Sequence, residues 1–304
     1  MKITKNLKVN SILFIIGVLI FTAFSPVMTS ADEGINEKLG VPTIVYGSSL
    51  TGDQRDEVKT LFNFNKLEGA KELEVNGTDV AKYIGGDSNS RMFSSAKIIR
   101  KDNNHGIIVN ILTADNITQV TSDMYKNAML TAGVEDAEVE IASPVKVSGH
   151  SALTGIYKAY DAQGVGLDQG RMEVANDELD IATDLASRDG MSEEKVTELL
   201  TEIKKAIAEQ DPATKEDVER IVKEQLDKLE IKLSDADRQL LIDLFEKMRD
   251  LDIDFDKVKE QLEDLTSTIK DKLGDLDLDL DNGFWEKVQN FFKNLIDKIS
   301  SWFD

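Results

Sequence analysis

The sequence predicts an α+β protein. An N-terminal mixed α/β domain over residues 35–165 precedes a helical region over 167–274 and a C-terminal amphipathic helix over 283–304. Three observations predict it. Strand-like and helix-like stretches interleave up to about residue 165, as expected of helices packed on a sheet. From residue 167 onward apolar residues recur at three- and four-residue spacing, the helical period. An acidic linker over 275–282 then leads into a last segment that holds both tryptophans of the chain.

The elements follow in order. Residues 42–46 (Pro-Thr-Ile-Val-Tyr) read as a strand. Gly47 opens a turn, and Thr51 starts a helix to Phe62 with Val58, Leu61 and Phe62 on one face. Residues 72–75 read as a short strand, and 78–84 as a helix ending at Gly85 and Gly86. Two strands, 96–100 and 106–112, flank a turn at 102–105, which predicts a hairpin. A helix over 118–132 stops at Gly133, a suitable C-cap. Residues 137–142 alternate as a half-buried strand, and 151–160 read as a helix with Ala152, Ile156 and Ala159 on one side.

Residues 167–188 continue as a helix rich in Ala, Asp and Glu, broken at 188–190. Ser192, with Glu193 and Glu194, starts a helix carrying Val196, Leu199, Leu200, Ile203 and Ile207. Pro212 punctuates. Residues 215–229 carry Val218, Ile221, Val222, Leu226 and Leu229. Ser234 caps a helix with Leu240, Leu241, Leu244 and Met248. A further helix starts at Asp254 or Asp256 and runs through Val258, Leu262, Leu265 and Ile269 to Leu273. These stripes read as core packing between antiparallel helices. Two alternating Asp/apolar runs, 250–256 and 275–281, read as acidic connectors whose last Asp favours the positive end of the next helix.

Ahead of these elements, Lys2, Lys5 and Lys8 precede an uncharged apolar run from Ile12 to Phe24. Ser25 and Pro26 break it, and Thr29 and Ala31 supply small residues. That order reads as a secretory signal peptide over residues 1–31, cleaved after Ala31. The competing reading is a retained membrane anchor, because no charge falls between Lys8 and Asp32. Cleavage removes three lysines and no acids, taking the net charge from −21 to −24. Such an acidic chain repels DNA, RNA and anionic lipid, so no nucleic-acid partner is expected. The absence of cysteine excludes disulfides, thiol catalysis and a lipobox-type anchor. With His105 and His150 as the only histidines, a multi-histidine metal site is excluded as well.

Residues 111–160 hold the densest motifs. They read Asn116-Ile-Thr118, Val120-Thr121, Met124-Tyr125 and Asn127-Ala-Met-Leu-Thr-Ala-Gly133. Pro144, Val147-Ser-Gly149, Ala152-Leu-Thr-Gly155 and Lys158-Ala159 follow. Gly47, Leu50, Thr51, Gln54 and Ser94-Ser95-Ala96 add to the pattern. The chain resembles the secreted bacterial domain of unknown function 1002 family, the YpuA-like proteins, over most of its mature length. The resemblance implies an exported, envelope-associated protein of Gram-positive type. It brings no known activity, so no catalytic residue is carried over.

Three candidate sites follow from the residues. Gly149-His-Ser-Ala-Leu153 has part of the nucleophile-elbow pattern, but Leu153 replaces the second glycine and no histidine lies downstream. Helix capping by Ser148 or Ser151 is the expectation there, and no catalytic residue is assigned. Asp277, Asp279 and Asp281 alternate like the start of a calcium loop. The sixth and twelfth positions, Asn282 and Val288, depart from the EF-hand pattern, so any calcium binding would be weak. No other cofactor is expected. The third candidate is the terminal helix, with Phe284, Trp285, Val288, Phe291, Phe292, Leu295, Ile299 and Trp302 on its apolar face. It suits a membrane interface or a partner groove, the rival being docking on the protein itself. The expected function is therefore binding at the cell envelope by an exported protein. The alternative is a hydrolase of a cell-wall polymer using paired carboxylates.

Overall fold

The computed structural model describes residues 39–251 and 253–275. The expected signal segment 1–31, the expected calcium-type aspartates 277, 279 and 281, and the expected amphipathic helix 283–304 lie outside them.

Strand β1 (Thr43–Gly47) is buried at every position and alternates its side chains between two clusters. Val45 enters the main core. Ile44 and Tyr46 meet Val58 and Phe62 on the opposite face, where α1 (Gly52–Leu61) lies. Thr51 starts α1 as expected: its hydroxyl accepts from Gln54 N while Gln54 Oε1 accepts from Thr51 N, a reciprocal cap. Strand β2 (Lys71–Val75) pairs parallel with β1. Helix α2 (Gly77–Ile84) follows at once, capped reciprocally by Asn76 and Asp79.

Strands β3 (Ser95–Arg100), β4 (Ile107–Ile111) and β5 (Ala137–Ala142) complete a mixed sheet ordered β2-β1-β3-β5-β4. The expected β3–β4 hairpin does not form. Instead β5 lies between them, antiparallel to β3 and parallel to β4. Burial explains the outcome. Ser95, Ala96, Lys97 and Ile98 are all buried, so β3 belongs at the sheet centre with both edges occupied. In β4, by contrast, Ile108 is exposed, which suits an edge. The crossover from β4 to β5 is α3 (Ser122–Ala132), a parallel unit that needs a helix rather than a turn. The sheet's second face turns polar beside the C-terminal end of α1, where Lys97 and Glu140 sit opposite each other and pair at 2.5 Å and Lys97 Nζ donates to Phe62 O at 3.5 Å.

Helix α4 (Ser151–Ala162) covers the main face of β1 and β3. The helical region follows as α5 (Gln169–Ala186), α6 (Glu193–Gln210), α7 (Lys215–Lys228), α8 (Asp235–Asp250) and α9 (Lys259–Asp275). Ser192 and Ser234 cap α6 and α8 as their positions suggest. One stripe residue departs from expectation, since Leu240 is exposed while Leu241 and Leu244 are buried. Sheet residues and helical-region residues share one continuous buried cluster, from Val45 through Leu262. In the 250–256 run the apolar members Ile253 and Phe255 enter that cluster, and Asp254 accepts from Asp256 N.

Helix α6 is the hub, packing on α3, α5, α7 and α9. Its buried Glu202 accepts from Lys228 (2.8 Å), Lys205 (2.9 Å) and Thr266 (3.3 Å), with Glu198 and Lys270 close by. Burial pushes the Glu202 carboxyl up, but Lys228 and Lys205 outweigh it and bring it down to about 2. A carboxyl depressed on folding stabilises above its unfolded value, and that stabilisation is lost as pH falls from about 4.5 through about 2. The shift corresponds to roughly 3 kcal/mol. In urea melts at stepped pH, the wild-type advantage over Glu202→Gln should be full above about pH 4.5 and fade toward pH 2. A difference that does not change with pH would sink this assignment.

Candidate functional site

A cleft of about 190 Å3 opens where α2, α4 and α5 meet. Lys82 and Tyr83 end α2, Tyr157 and Asp161 lie one turn apart on α4, and Leu167, Gln169 and Met172 enter α5. The mouth is a ring of three groups. Tyr83 Oη donates to Asp161 Oδ2 at 2.6 Å, while Lys82 Nζ donates to the same oxygen at 2.7 Å and to Tyr83 Oη at 3.1 Å. These bonds hold the Asp161 carboxyl below its ordinary value and the Lys82 ammonium above its own. Burial raises Tyr83, and its bond to Asp161 adds to the shift. The floor differs from the mouth. Tyr157 is 1% exposed and its hydroxyl has no hydrogen-bond partner. Burial, with help from the Glu178 carboxylate, pushes this hydroxyl well above its ordinary pKa, so it stays protonated.

Glu178 continues inward from the cleft as part of a buried polar network. Its Oε1 lies 2.6 Å from Lys204 Nζ, and Thr131 Oγ1 donates to Oε2 at 2.6 Å. Lys204 Nζ also donates to Asn127 Oδ1 (2.8 Å) and Asn127 O (2.9 Å). Burial draws the Lys204 pKa down and the Glu178 charge opposes it. Asn127 and Thr131 are the two polar positions of the Asn127-Ala-Met-Leu-Thr-Ala-Gly133 string. They stand one turn apart on α3 and face α5 and α6 together. Gly133 closes the helix at φ 90°, and Arg171 donates to Thr131 O (2.8 Å) and Leu130 O (3.3 Å). A cation on these last carbonyls complements the negative helix end.

The second string, Ser148 to Gly155, marks the start of α4. The capping expectation for Ser148 or Ser151 is not met. His150 occupies the N-cap position, with no side-chain bond to the helix. The turn is held from outside, by Tyr125 Oη donating to Gly149 O at 2.6 Å. Ser148 instead meets His150, with Oγ 3.0 Å from Nδ1. Nε2 lies 3.2 Å from Thr183 Oγ1 and 3.2 Å from Asp180 Oδ1. Thr183 spends its proton on the carbonyls of Leu179 and Asp180, so Nε2 carries the hydrogen and Nδ1 accepts from Ser148. Burial lowers the His150 pKa against the pull of Asp180, which favours the neutral ring. A Ser–His–Asp row thus exists. Its serine precedes the histidine by two residues, and its acid comes from a different helix.

A larger acidic depression of about 390 Å3 lies beside the N-terminal part of α9, lined by His105, Glu135, Asp136, Asp256, Glu260 and Asp264 among others. Among the described residues no group of three or more His, Cys, Asp or Glu has the geometry for a metal ion. No helix among them is long and apolar enough to cross a membrane. The binding residues expected at Phe284, Trp285, Val288, Phe291, Phe292, Leu295, Ile299 and Trp302, and the calcium positions Asp277, Asp279 and Asp281, fall outside the described residues. Cleft residues Lys82, Tyr83, Tyr157 and Asp161 were not singled out by sequence. The i, i+4 spacing of Tyr157 and Asp161 puts both on one face of α4, but no local pattern points to α2.

Comparison with known proteins agrees with the motifs. No solved structure matches. The chain is 31% identical over 286 residues to the uncharacterized protein YpuA of Bacillus subtilis (strain 168), covering 91% of this chain and 93% of that protein. Residues 46–265, which include the cleft, the buried network and the His150 turn, match the family described as Protein of unknown function (DUF1002). The chain therefore belongs to the DUF1002 family.

Proposed function

We propose that this protein is exported and acts at the cell envelope by binding, with the cleft between α2, α4 and α5 as its ligand site. One observation carries the reading. Lys82, Tyr83 and Asp161 close into one hydrogen-bonded ring at the mouth of a cleft of about 190 Å3. Both charged side chains of the ring are about half exposed, and Asp161 Oδ1 and one Lys82 N–H remain for a ligand. Export rests on the lysines, apolar run and small residues of 1–31. Attachment to a membrane interface or an envelope partner falls to the apolar face of 283–304, and weak calcium binding to Asp277, Asp279 and Asp281.

Purified envelope material tests the reading by co-sedimentation, in calcium-containing and chelated buffer. The full chain is expected to pellet, and removal of 283–304 to reduce the pelleted fraction severalfold. Gly166→Phe should reduce it as well, since a Cβ there meets nothing within 4 Å and the added ring crowds the cleft. If the full chain stays in the supernatant, envelope binding is wrong. The Ser148–His150–Asp180 row favours a second reading, hydrolysis of a wall polymer. Soluble fragments released by the wild type and not by Ser148→Ala would establish it.

A further inference from the structure

We infer that the cleft takes a small zwitterion of the α-amino acid type. The inference rests on the cleft being the binding site. Its mouth presents one cation and one anion side by side, already neutralising each other. Both are more than half exposed, at 59% for Lys82 and 51% for Asp161, so a solute can exchange with their mutual contact at little cost. The two bonds to Asp161 converge on Oδ2, which leaves Oδ1 for another donor. Lys82 has three N–H donors and spends two, on Asp161 and Tyr83. One spare acceptor and one spare donor therefore stand together. They match the ammonium and carboxylate of a single zwitterion.

Other charge types fit less well. A lone anion would take Lys82 and leave Asp161 uncompensated, on a chain whose net charge is already −21. A lone cation would do the reverse to Lys82. Past the mouth, Leu167 and Met172 offer apolar wall and Gln169 an amide. The volume of about 190 Å3 equals roughly six waters, which suits alanine or threonine and not a long side chain.

Isothermal titration of the full chain with L- and D-alanine, L- and D-threonine, propionate, ethylamine and glucose tests the inference. Alanine and threonine, each in at least one hand, should bind, and propionate, ethylamine and glucose should give no heat. Tyr157→Phe should leave the binding of alanine and threonine unchanged, because that hydroxyl is sealed from the cleft. Gly166→Phe should abolish both. Propionate or ethylamine binding as well as alanine would overturn the zwitterion assignment. So would glucose binding alone, although its loss in Gly166→Phe would leave the cleft as the ligand site. Silence from every probe also overturns the inference. In that case the proposed function survives if Gly166→Phe still reduces co-sedimentation with envelope material, and fails with it otherwise.

Discussion

Lys204→Met is expected to lower the free energy of unfolding by roughly 3–5 kcal/mol, the range for breaking a buried ion pair by removing one partner. Lys204 is 0% exposed and Glu178 is 1% exposed. Without the ammonium, Glu178 keeps only the Thr131 hydroxyl, and Asn127 Oδ1 loses its donor. The damage should fall on the junction of α3, α5 and α6. Urea melts followed by circular dichroism give the size of the effect. Lys204→Met combined with Glu178→Leu should recover most of the loss, because a matched apolar pair carries no uncompensated charge. If the single variant loses less than about 1 kcal/mol, the pair does not hold these helices together. If the double variant is as unstable as the single, the loss comes from packing and not from charge.

The second large effect is expected at Gly149. Its φ of 112° lies where side chains are rarely found, and a Cβ there would stand 2.7 Å from Tyr125 Oη and 2.8 Å from Ile117 Cγ2. Backbone strain of about 1–3 kcal/mol adds to overpacking of about 1–3 kcal/mol. Gly149→Ala should therefore cost about 2–6 kcal/mol and detach the start of α4 from α3. Thermal melts of Gly149→Ala, Tyr125→Phe and the double variant separate the causes. The hydroxyl that the new methyl meets also donates to Gly149 O, so the double should lose less than the sum of the singles. Strict additivity would place the cost in the backbone alone.

Gly149 and Asn127, the partner of Lys204, lie in strings that the sequence marks as distinctive, and both owe their importance to partners far along the chain. Asn127 and Lys204 are 77 residues apart, and Gly149 answers to Tyr125 on another helix. The alternation of Ala137, Val139 and Ile141 with Glu138 and Glu140 already placed β5 with one face inward, and the structure keeps it so. The same local reading failed at 96–112. The turn residues between β3 and β4 suggested a hairpin, yet the burial of β3 demanded neighbours on both edges. The Ser148–His150–Asp180 row is not legible in the sequence, because the elbow pattern requires a histidine downstream of the serine and its acid. The acid in this case comes last, from α5.

The sequence by itself determined the α+β class, nearly every described element, the helix starts at Thr51, Ser192 and Ser234, the C-cap at Gly133 and the family. These depend on residue type at fixed short spacing, which is where propensity, capping and periodicity act. Tertiary structure alone decided the strand order, the burial of Lys204 against Glu178 and the meeting of Lys82, Tyr83, Tyr157 and Asp161 at one cleft. Desolvation and hydrogen bonding between distant groups set those outcomes, and neither leaves a period in the chain.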